Sequence, residues 1–102
     1  MKGTLRDSKI WRFKRSVDTM WKYLKFYLED IEKVTLDLKS PRTVFKTLCS
    51  TRILSESETE FLLEMLDARN ATSHMYKEEQ AEQLAAKIPE FYKLLVLVEK
   101  RI

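Results

Sequence analysis

Apolar side chains recur near the start of the chain at Ile10, Phe13, Val17, Met20, Leu24, Tyr27 and Ile31, in steps that alternate between three and four residues. That period marks one face of an α-helix about six turns long, with Trp21 and Leu28 widening the stripe. Thr4 or Asp7 is placed to cap its start. The seam would suit a coiled coil, but about three heptads in so short a chain point rather to a helix bundle. Over residues 32–40 the period is lost, which predicts the helix end and a connection.

Ser40-Pro41 reads as the next helix start, with serine as the cap and proline at the first helical position. Val44, Phe45, Leu48 and Cys49 give this second helix a buried side, and Arg52 to Leu54 close it. Ser55-Glu56-Ser57-Glu58 has the form of a capping box, with acidic residues where the helix dipole favours them. Phe61, Leu62, Met65 and Leu66 then face inward, and the third helix is expected to run to about Asn70 or His74. A last helix starts near Glu78. Its stripe is Ala81, Leu84, Ala85, Ile88, Phe91 or Tyr92, Leu95 and Val98. Pro89 lies within that stripe and has no N–H to offer Ala85, which predicts a kink or a break. The expected fold is all-α: an antiparallel up-and-down bundle of four helices, or five if Pro89 divides the last, as a single domain over residues 1–102.

Composition agrees. One glycine and two prolines are few for a strand-rich chain with many turns. A single cysteine excludes an internal disulfide, and Cys49, beside Leu48, reads as a buried and inert thiol. One histidine and one cysteine cannot form an ordinary zinc site, and there is no glycine-rich phosphate loop, so neither metal nor cofactor is expected. Glu56, Glu60 and Glu64 share a helix face and read as solvated. The first residues lack the apolar core of a signal peptide, and no apolar run approaches the roughly 20 residues of a membrane span. The expectation is a soluble, cytoplasmic protein without a membrane partner. In that setting the sequon Asn70-Ala71-Thr72 is a chance match. The net charge of +3 is uneven: residues 1–25 carry eight Lys or Arg against Asp7 and Asp18, while residues 55–83 are acidic overall. A basic stripe of this kind suits RNA or an acidic partner, or is simply a solvated helix face.

Chemistry concentrates in Ala68 to Tyr76, ARNATSHMY. Arg69 and His74 are five residues apart, about 140° on an ideal helix, so they converge only if the helix ends or bends between them. Asp67, Asn70 and His74 fall on one stripe and can hydrogen-bond in a row, with Arg69 beside them. A helix C-terminus finished with Arg and His is the plain alternative. A phosphodiester site would use the same set: a planar guanidinium fork for phosphate oxygens and an imidazole to move a proton. RNA brings its own 2′-hydroxyl nucleophile. With one histidine per chain, a homodimer would supply an acid and a base in a shared cleft.

The segment RNATSHMY resembles the arginine, four residues, histidine, any residue, tyrosine motif of the HEPN superfamily. IWRFKRSVDTMWKYLKFYLED, SPRTVFKTL and MLDARNATSHMYKEEQAEQLAAKIPEFY are similar to that superfamily's helices, in particular to the nucleotidyltransferase substrate-binding subgroup. The resemblance implies a dimerising bundle of four or five helices, encoded near a minimal nucleotidyltransferase that is its partner. Many such proteins are the toxin half of a toxin–antitoxin pair and cleave RNA without metal. On this chain the catalytic pair would be Arg69 and His74, with Asn70 and Asp67 in support and Tyr76 as the acceptor of AMP from the transferase. Other members are non-catalytic subunits that bind the transferase's substrate. In one respect the chain departs from the pattern: a further helix usually precedes the long first one. The apolar seam would then be exposed unless a dimer covered it.

Overall fold

In the computed structural model, which describes residues 2–36, 39–74 and 77–102 and side chains from Ser8 onward, the chain folds into four helices. They are α1 (Lys2–Phe26), α2 (Pro41–Ser50), α3 (Glu56–Ala71) and α4 (Glu78–Arg101). No strand occurs among the described residues.

α1 starts at Lys2, ahead of Thr4 and Asp7, so neither of those residues is its cap. Phe13, Val17, Leu24 and Leu28 are completely buried along its seam. Ile10, Met20 and Tyr27 are half-buried beside them. Ile31 departs from the pattern and is 60% exposed. The reason is local: the helix widens into a π turn over Tyr27–Ile31. Each residue there advances by less than the α-helical angle, which carries Ile31 off the seam. Far from lying exposed, the seam is covered by the chain's own helices. Phe13 stacks on Phe91 of α4 with ring centroids 5.7 Å apart, and Phe91 in turn meets Phe61 of α3 at 4.8 Å.

The helix starts follow their sequence signals. The Ser40 side chain accepts a hydrogen bond from the Thr43 N–H, and Pro41 opens α2. Ser55 and Glu58 form the reciprocal capping box of α3. α2 closes through Arg52, which takes a left-handed backbone (φ 66°) so that the N–H groups of Ile53 and Leu54 can return to the Leu48 carbonyl. Cys49 is half-buried rather than enclosed, and it opens onto a hollow that it lines together with Arg52 to Leu54 and Arg101.

α4 is one helix from Glu78 to Arg101, and Pro89 does not divide it. Pro89 lies on the exposed side, where the Ala85 carbonyl that it leaves without a donor can be hydrated. The fold therefore has four helices rather than five. α3 runs antiparallel to both α2 and α4, as cross-links at opposite ends show. Arg42 at the start of α2 pairs with Asp67 near the end of α3. Arg101 at the end of α4 holds both carboxylate oxygens of Glu58 at the start of α3, each at 2.7 Å.

Two outcomes follow. Phe91→Ala removes the ring shared by α1, α3 and α4 and should lower unfolding stability by about 3–5 kcal/mol in a denaturant titration. Glu58 is held down to a pKa of about 2, first by the hydrogen bonds from Arg101 and then by those of the capping box. A carboxyl depressed in the folded state stabilises it above its unfolded pKa, and that contribution fades as pH falls toward about 2. Glu58→Ala should therefore cost about 1 kcal/mol near neutral pH and progressively less under acid, read from melts across that range.

Candidate functional site

The seam of α1 decides what stands next to the motif. With Val17 and Leu24 turned fully inward, Asp18 and Trp21 fall on the flank of α1 that faces the start of α2 and the end of α3. Arg69 emerges there from the last turn of α3. Its Nε donates to one carboxylate oxygen of Asp18 at 3.0 Å and its Nη2 to the other at 2.9 Å. This is a two-point fork linking residues 51 apart in sequence. The guanidinium lowers the Asp18 pKa, chiefly through the hydrogen bond, and Asp18 raises that of Arg69 in return. The Arg69 and Asp18 side chains keep 27% and 42% of their surface exposed, so water still reaches the pair.

The pair lines a cavity of about 260 Å³ together with Trp21, Ser40, Arg42 and Asn70. Asn70 is exposed at its edge. Arg42 also bonds to Asp67. Hence Asp67 faces α2, and the expected row of Asp67, Asn70 and His74 does not form among the described residues. The backbone explains why. α3 ends at Ala71, and Thr72–His74 make a tighter 3₁₀ turn. The Thr72 hydroxyl closes that end by donating to the Arg69 carbonyl at 2.7 Å. His74 is exposed on the turn and does not line the cavity. Tyr76 lies outside the described residues. The structure thus brings Arg69 and Asn70 together and places Asp67 beside them on another partner, while His74 stands apart from the cavity.

Asp18, Trp21 and Arg42 were not visible as site residues in the sequence. Each belongs to a different stretch from the motif, and nothing local announces the contact. A signal was present for Asp18, one of only two acids in the basic first 25 residues. An acid retained in such a stretch invites a search for its cation.

A larger hollow of about 790 Å³ runs between α1 and α4 on the other flank. Trp11, Tyr23, Tyr92 and Val96 line it, with Arg12 and Arg15 on the α1 wall and Glu99 on the α4 wall. Arg15 stacks over Trp11 at 4.8 Å. Among the described residues no three His, Cys, Asp or Glu side chains cluster closely enough to hold a metal ion. No helix of the described residues is long and apolar enough to cross a membrane.

Comparison with known proteins agrees with this architecture. A crystal structure of a protein from Thermus thermophilus superposes with a TM-score of 0.87 at 30% sequence identity, over 94% of this chain and 79% of that one. No curated protein gives a significant match. The family model described as nucleotidyltransferase substrate binding protein like matches residues 1–102, end to end. The chain belongs to the nucleotidyltransferase substrate-binding protein-like family.

Proposed function

We propose that the chain is a substrate-binding partner of a nucleotidyltransferase, and that Arg69 receives a phosphate of the substrate. The observation that carries this reading is the state of Arg69. Its fork is fully charged, held in one orientation by Asp18, and set in a small cavity next to Asn70. A carboxylate and a phosphate present similar oxygen pairs to a guanidinium, so a fork that fits one is preset for the other. His74, exposed and outside that cavity, is not required for binding.

Metal-independent cleavage of RNA by Arg69 and His74, in the manner of a toxin with the transferase as its antitoxin, is the second reading. One feature favours it: α3 ends at Ala71, between the two residues, so the wide separation of an unbroken helix does not apply. This reading keeps Tyr76 as the residue that would accept AMP from the transferase.

Both readings include a homodimer, and the uncovered apolar flank of α1 and α4 supports one. That flank lies on the side of α1 away from Arg69, so a pairing there does not itself place two motifs in one cleft. Trp11, Tyr23 and Val96 on that flank are each about half exposed. The walls carry opposite charge, with Arg12 and Arg15 facing Glu99 across the groove. A two-fold pairing could set the basic wall of one copy against the acidic wall of the other. Val96→Lys should shift the protein to monomer in sedimentation; an unchanged dimer, or a monomeric parent, contradicts this surface.

The two functional readings part on one pair of measurements. The chain should co-purify with a minimal nucleotidyltransferase encoded beside it, and His74→Ala should leave that complex intact. RNA incubated with the purified protein in EDTA should stay whole. Cleavage that His74→Ala abolishes would transfer the conclusion to the RNase reading, and failure to form the complex would contradict the first.

A further inference from the structure

We propose that the 260 Å³ cavity is a nucleotide-phosphate site with two guanidiniums, Arg69 and Arg42, in which phosphate oxygens replace the carboxylate of Asp18, which lines the cavity, and draw Arg42 from Asp67, which does not. The inference rests on the reading that Arg69 receives phosphate. It adds the second arginine, the base platform and the built-in counter-ions.

Arg42 and Arg69 come from different helices, α2 and α3, yet both line this one cavity. Each guanidinium is occupied by an aspartate: Asp18 holds Arg69 and Asp67 holds Arg42. Two arginines beside one small space attract a multiply charged anion more strongly than either alone. Without ligand their charge is neutralised by two carboxylates that sit near the surface. The Arg42 and Asp67 side chains are 49% and 63% exposed. An ion pair this open to water contributes little to folding, so a ligand can displace Asp67 readily, whereas the two-point Arg69–Asp18 pair, at 27% and 42% exposed, has to be exchanged for an equally good set of oxygens. A phosphate dianion offers three oxygens and two charges where each aspartate offers two oxygens and one.

The rest of the lining fits the remainder of a nucleotide. Trp21 contributes an indole to the wall, and an aromatic face accepts any base by stacking. Asn70 and Ser40 bring polar groups to the same space. The cavity has room for a phosphate and part of a nucleoside, and cannot enclose a strand. Its ligand is therefore a free mononucleotide or a single nucleotide unit presented from a strand.

Trp11→Phe leaves Trp21 as the chain's one tryptophan, so its fluorescence reports on the cavity. This full-length variant is titrated, at fixed low salt, with adenosine 5′-monophosphate, with inorganic phosphate and with a short single-stranded RNA. A saturable change is expected with the mononucleotide or the RNA, and whichever binds more tightly identifies the source of the phosphate. In the same background Arg42→Ala should weaken binding about tenfold, and Arg42→Lys, which keeps the charge but not the fork, should fall between. Asp67→Asn should tighten binding severalfold by removing a competitor. Thermal melts show that each variant remains folded, and Arg42→Lys serves if Arg42→Ala does not fold. No saturable change with any ligand, or equal affinity for the parent and both Arg42 variants, overturns the proposal. An Asp67→Asn affinity equal to the parent's overturns the counter-ion role. Because the titration needs neither the transferase nor RNA cleavage, its failure is distinct from failure of the complex to form.

Discussion

Phe13, Val17, Leu24 and Leu28 are wholly withdrawn from water along one line of α1, and the placement of the other helices follows from how they cover that line. Each such side chain contributes on the order of 1.5–3 kcal/mol when fully buried. The rotation of α1 about its axis is therefore tightly set. Once it is set, the flanks have no freedom: Asp18 and Trp21 must face α2 and α3, and Arg12, Arg15 and Tyr23 must border α4. The site is thus a by-product of core packing in one sense, since a quarter-turn of α1 would remove Asp18 from Arg69.

The ion pair at that junction is poorly suited to holding the fold together. It is reached by water, which weakens even a two-point pair. Its structural effect is orientation. A free arginine samples many rotamers, whereas the Asp18 fork holds the Nε–Nη2 edge of the guanidinium and with it the plane. The pairing of Arg42 with Asp67 is a single contact from Nη2 to one carboxylate oxygen and restrains a second guanidinium less. In contrast, the Arg101–Glu58 pair at the other end of the bundle joins a capping box to the end of α4, and there a tie between helices is the evident role. Similar chemistry at the two ends has different neighbours: the Arg69 pair borders Trp21 and Asn70, whereas the Arg101 pair sits on a capping box.

Much of the fold was legible in the sequence because it rests on local rules. Ser40-Pro41 and Ser55 to Glu58 mark helix starts through bonds spanning three residues, and the apolar periods name most of the core. The misreadings arise where tertiary context overrides a local rule. Of the kink or break expected at Pro89, the break does not occur because that face is solvated, and Ile31 is exposed because a π turn changes the angular step. The site was legible only in part. Arg69 and Asn70 could be picked from their segment, but Asp18, Trp21 and Arg42 reach the cavity through packing of three helices, which no spacing along the chain encodes. The Asp67–Asn70–His74 row assumed an α-helix that continued past Ala71, and the 3₁₀ turn ends that geometry.

The central claim is that the arginine fork set by Asp18 is a phosphate receptor. The most direct measurement is proton–nitrogen NMR of the arginine Nε–H groups and the Trp21 indole N–H during addition of adenosine 5′-monophosphate. The account predicts that the Arg69, Arg42 and Trp21 signals move together along one saturation curve, while that of Arg101 at the far end stays in place. Signals of Arg69 and Arg42 that remain fixed at saturating nucleotide, or that move no more than that of Arg101, would contradict it.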